Sequence, residues 1–62
     1  MLEVLVMCLD EDGIPRAYAS GLIKNNKDLD VLKNTALEML GKYIENKSCS
    51  INDFTLQVEF VD

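Results

Sequence analysis

The chain has 62 residues, 48% of them hydrophobic and 27% charged, with eleven acids against six bases for a formal net charge of −5. That length sets one domain, which hides only about 60% of the surface its unfolded chain exposes. The composition excludes a disordered tail, and no apolar run approaches the roughly 18 residues of a membrane span. The acidic balance argues against direct binding of nucleic acid, whose phosphates attract Lys and Arg.

Residues 2–9, LEVLVMCL, are rich in Val and Leu and too short for a stable helix, so they predict a strand. Leu2, Val4, Val6 and Cys8 fall on one face and Glu3, Leu5, Met7 and Leu9 on the other. Both faces are mostly apolar, which suits a strand covered on both sides. Asp10 to Pro15 is turn chemistry: Gly13 accepts positive φ, Asp bonds its own backbone, and Pro15 lacks a donor and suits a strand start or an edge. Residues 16–24, RAYASGLIK, predict the return strand, with Gly21 marking a bulge or a close backbone approach.

The run NNKD at 25–28 is a helix-start signal in which Asn26 or Asp28 is the expected cap, and Asp28 with Asp30 suits the positive end of the helix dipole. Residues 29–46 follow a helical period. Leu29, Leu32, Ala36, Met39, Leu40 and Tyr43 form the apolar stripe, widened by Leu37 and Ile44, while Val31 projects away. Gly41 inside the run hints at close packing or a kink. Residues 46–53 form a polar connection, and 54–61, FTLQVEFV, alternate cleanly with Phe54, Leu56, Val58 and Phe60 on one face. The fold expected is α+β, a ββαβ chain with one helix across one face of a three-stranded antiparallel sheet. One apolar side of the first strand would then face water, and a second copy of the chain would solve this by sheet-to-sheet or edge pairing. A homodimer is therefore expected.

The residues for catalysis are scarce. There is no His to serve a Cys or Ser nucleophile, no Cys-x-x-Cys pair and no glycine-rich phosphate loop, and DEDG lacks the spaced ligands of a calcium loop. No enzyme activity, metal or cofactor is expected. Cys8 and Cys49 are expected as reduced thiols, and an N-terminus without a basic region or small-residue cleavage site gives the cytoplasm as the expected location. Binding remains. Asp10, Glu11 and Asp12 mark the hairpin tip, and Asp28 and Asp30 mark the helix start. Turn and dipole roles account for both clusters locally. The functional alternative is that these carboxylates stand where the phosphates of a DNA strand would lie in a basic groove.

The stretches EVLVMCLDEDGIPRAYASGL and DLDVLKNTALEML resemble the small acidic uracil-DNA glycosylase inhibitors of short-tailed Bacillus phages. The match covers roughly residues 3–44 through Asp10 to Gly13, Gly21-Leu22, Asp28 to Leu32, and Asn34-Thr35-Ala36 with Glu38. The resemblance implies a dimeric DNA mimic. Such a mimic fills the enzyme's DNA groove and encloses, in an apolar pocket, the side chain that the enzyme wedges into the duplex during base flipping. The partner contacts expected in this chain are Asp10, Glu11, Asp12, Asp28 and Asp30 as phosphate mimics, with Leu29 and Leu32 near the apolar pocket. Leu29 and Asp30 occupy the family's aromatic–acid pair without the ring, and Lys33 stands where the family has a second aromatic. The partner implied is host uracil-DNA glycosylase or another protein with a basic DNA-binding groove, such as a nuclease. DEDG, AYASGL and LDVLKNTALEMLGKYIE also resemble HicB-type antitoxins, although the further strands that precede the helix in that family are missing here.

Overall fold

The computed structural model describes residues 2–61. Strands β1 (Leu2–Leu9) and β2 (Pro15–Ile23) form a hairpin, helix α1 (Asn26–Ile44) follows, and strand β3 (Thr55–Val61) returns to the sheet. The three strands run antiparallel in the order β2-β1-β3, so the first strand of the chain is the central one. This is the expected ββαβ fold.

The helix covers the face that carries Val4, Val6 and Cys8. These pack with Ala17, Ala19 and Ile23 of β2 and with Ala36 and Leu40 of α1 to form the buried core. Small residues on β2 let the helix approach. Gly21 pairs regularly with Val4, so it is no bulge, and a Cβ there would meet only the Leu32 side chain, Cδ2 at an ordinary contact distance of 3.4 Å. The bulge lies at Arg16 instead. Cys8 pairs with Ala17 and Leu9 with Pro15, which leaves Arg16 as the extra residue and absorbs the odd loop length.

Several boundaries differ from expectation. Asn25, ahead of the expected Asn26 or Asp28, caps the helix: its side chain accepts from the Asp28 N–H at 3.1 Å. The helix therefore begins at Asn26 and ends at Ile44. Gly41 neither kinks it nor packs closely, since nothing lies within 4 Å of the position a Cβ would take. Met39 belongs to the expected stripe yet is exposed. It sits about 100° round the helix from Leu40, at the stripe's margin. The polar connection contains a short 3-10 turn, Ile51–Asp53. A reciprocal capping box holds it: Asn52 N–H donates to Ser50 Oγ at 3.0 Å and Ser50 N–H donates to Asp53 Oδ2 at 2.9 Å.

The helix lies over β2 and β1 and leaves β3 poorly covered. Leu56 and Phe60 are on the helix-facing side of the sheet, opposite Cys8 and Val4, yet they are 39% and 59% exposed. The other sheet face carries half-buried Leu5, Met7 and Leu9 beside the exposed Tyr18, Leu22 and Val61. No helix among the described residues is long and apolar enough to cross a membrane.

Candidate functional site

The hairpin tip folds around Asp10. Its N–H donates to the Ile14 carbonyl at 3.0 Å, and its own carbonyl accepts from Gly13 N–H at 2.9 Å, where Gly13 takes φ 79°. The Asp10 carboxylate accepts from Asp12 N–H and Ile14 N–H, each at 2.9 Å, and from Arg16 Nε at 2.8 Å. The Arg16 bond and the Ile14 amide hold the Asp10 carboxyl below the usual carboxylate range. Asp10 is thus the organising residue of the turn. Glu11 and Asp12 project from it as exposed side chains. Arg16, released from the ladder by the bulge, also reaches the Tyr43 ring with its guanidinium 5.9 Å from the centroid, and Lys47 approaches that ring at 4.8 Å. Tyr43 meets Phe54 edge to face at 6.3 Å. One chain of contacts therefore runs from the tip to the end of the helix and the start of β3.

The helix start lies at the opposite end. β2 carries the chain away from the tip before α1 begins, a separation of about 26 Å at roughly 3.3 Å per residue. The molecule's longest extent is 38 Å. Asp28 is engaged locally, its Oδ2 accepting from Lys24 N–H at 2.8 Å, which ties the end of β2 to the first helical turn. Asp30 is exposed and has no hydrogen-bond partner among the described residues. Leu29, half-buried, lines a recess of about 430 Å³ with Leu2, Ile23, Phe60, Lys24, Asn25 and Asn26. Leu32 points elsewhere, onto Gly21, and holds the helix to β2.

Of the expected helix-start residues, Leu29 alone lines the recess, whose polar rim is Lys24, Asn25 and Asn26; Asp30 is exposed on the same helical turn and Asp28 is tied to the Lys24 amide. Asp10, Glu11 and Asp12 are at the far end of the sheet, so the two acid clusters do not form one patch within a chain. Phe60 and Leu2 join the recess from strands remote in sequence, and neither position carries a local signal beyond its apolar character. Among the described residues no group of three His, Cys, Asp or Glu side chains could hold a metal ion. Both cysteines are free thiols. Cys8 is buried beneath the helix with its Sγ 3.9 Å from the Ala36 carbonyl, and burial pushes its thiol pKa up. No protein-family model matches the chain, and neither curated proteins nor solved structures give a significant match.

Proposed function

We propose that this protein is a non-catalytic inhibitor that blocks the DNA-binding groove of a host enzyme by imitating DNA, acting as a homodimer in the host cytoplasm. The target in this reading is uracil-DNA glycosylase. The observation that carries it is the recess at the helix start, where Leu2, Ile23, Leu29 and Phe60 form an apolar floor and the exposed Asp30 follows Leu29 on the same helical turn. A base-flipping enzyme presents a basic groove with an apolar wedge in it. An apolar recess and an exposed acid on the same helical turn complement both features. The recess is within the roughly 300–1,000 Å³ range of small-ligand pockets, enough for a projecting apolar side chain.

Within this reading Asp30 and Asp28 take the place of phosphates near the wedge, with Leu29 at the recess wall and Leu32 setting the helix against the sheet behind it. The tip acids Glu11 and Asp12 steer the approach to a basic surface at longer range, and Asp10 shapes the tip that carries them. Lys24 and Lys27 offset part of the charge at the helix start. The apolar recess therefore supplies a larger share of the affinity there than the charge does.

The test is a titration of purified protein into a uracil-excision assay. Excision should stop at close to one inhibiting unit per enzyme. Full excision in the presence of excess protein would end this reading.

A further inference from the structure

The two edges of the sheet differ sharply. β2 is guarded: it opens with Pro15, is broken by the bulge at Arg16 and contains Gly21. β3 carries none of these devices. Thr55–Val61 has no Pro, Gly or Lys, and its register against β1 is unbroken through seven successive pairs. Its outer edge pairs with nothing among the described residues. An edge that regular, flanked by exposed apolar side chains, is a template for another strand. Leu56 and Phe60 flank it on the helix side and Val61 on the other side, and all three are exposed.

We infer that the outer edge of β3 pairs antiparallel with β3 of a second copy of this chain, about a two-fold axis at Val58, to make one continuous six-stranded sheet. The register follows from the sequence of the strand. An axis at Val58 uses all seven residues and sets Gln57 opposite Glu59, Leu56 opposite Phe60 and Thr55 opposite Val61. Gln57 already donates to Glu59 at 2.8 Å within the strand, and across the axis the same amide faces the partner's Glu59. An axis at Glu59 would oppose two like charges. An axis at Gln57 would leave Phe60 and Val61 beyond the start of the facing strand.

Stacking through the open sheet face is the competing geometry. That face carries Glu3 and Glu59 and no cation among its strand residues, so two copies stacked there would bring acids together. Edge pairing avoids this and buries Leu56 and Phe60 of β3 instead, leaving Leu5, Met7 and Leu9 of the open face as they stand in the single chain. It also sets Leu56 of the partner subunit beside Phe60, so that the second copy extends the wall of the recess at the helix start.

The inference rests on the dimeric state proposed above and not on the target enzyme. In a Cys49→Ser background, Val58→Cys should form a disulfide-linked dimer on mild oxidation. Opposed residues of an antiparallel pair have Cα atoms about 4.5–5.5 Å apart, within disulfide reach. Tyr18→Cys on the open face should stay monomeric on the same gel. Gln57→Glu should raise the dissociation constant about threefold to thirtyfold by sedimentation, Gln57→Lys should lower it, and Gln57→Glu with Glu59→Lys should restore it. These two side chains sit on the solvent face, so the fold does not depend on them. A wild-type mass of 7.0 kDa at high micromolar concentration would overturn the inference. So would cross-linking through Tyr18→Cys in place of Val58→Cys, or indifference of the dimer to the charge at residue 57. A dimer that leaves uracil excision untouched would refute the target alone, and inhibition by a stable monomer would refute the pairing alone.

Discussion

The hairpin tip and the helix start are both acidic, yet they use their acids differently. At the tip, the Asp10 carboxylate takes three hydrogen bonds from the chain around it, two from backbone amides and one from Arg16. At the helix start, one Asp28 oxygen accepts from the Lys24 amide, while the exposed Asp30 side chain, next in the helix to the recess-lining Leu29, makes no hydrogen bond among the described residues. A carboxylate that holds a turn together is saturated and offers a partner little. One left exposed on the helix surface keeps its acceptor capacity for a partner. Cluster size is thus a poor guide to acceptor capacity: of three adjacent acids at the tip, Asp10 is taken up by the turn, while the single Asp30 carboxylate is left open to solvent.

Substitutions at the two ends separate these roles. The largest effect is expected at the recess. Phe60→Asp or Leu29→Glu places a charge against the apolar floor and should weaken inhibition of uracil excision by about a hundredfold, the scale of an interface hot spot. Unchanged inhibition would remove the recess from the contact. Next comes Asn25→Ala, which deletes the cap of α1 and should lower stability by about 1 kcal/mol in urea unfolding. Its local signature is faster amide exchange at Asp28, with the tip unaffected.

A smaller effect belongs to the tip and is pH-dependent. The Asp10 carboxyl titrates below its unfolded value of about 3.9, so its contribution is complete above that value and is lost as pH falls through the lower, folded one. Amide protection at Asp12 and Ile14 should therefore persist at neutral pH and collapse in acid. Asp10→Asn should weaken it at neutral pH and flatten the pH response. The smallest effect is expected from Glu11→Gln with Asp12→Asn. These should slow association with the enzyme severalfold at low salt and leave the dissociation rate and the unfolding midpoint unchanged.

The local signals in the chain were legible where one element decides its own state. Alternation in Thr55–Val61, the two-sided apolar pattern of Leu2–Leu9 and the period of the helix all carry through to the structure. The capping box of the 3-10 turn is also written locally, as Ser50 three residues before Asp53. What the sequence does not carry is where the helix lies across the sheet. Leu56 and Phe60 alternate like core residues, but the small Ala17, Ala19 and Gly21 draw the helix toward β2 and leave that half of the face open. The cap shows another limit, because Asn25, Asn26 and Asp28 are all competent acceptors and the choice depends on where β2 ends. The recess is assembled from Leu2, Leu29 and Phe60, which meet only after the sheet has formed.

In the proposed reading the partner surface lies at the helix start, and the hairpin tip is a structural turn. Mapping backbone amide shifts of labelled protein during titration with uracil-DNA glycosylase tests this most directly. The largest shifts and line broadening should cluster at residues 24–32 and at Phe60, with weaker, salt-sensitive changes at Glu11 and Asp12. Saturating enzyme that leaves the spectrum unchanged, or shifts confined to Asp10 through Gly13, would contradict it.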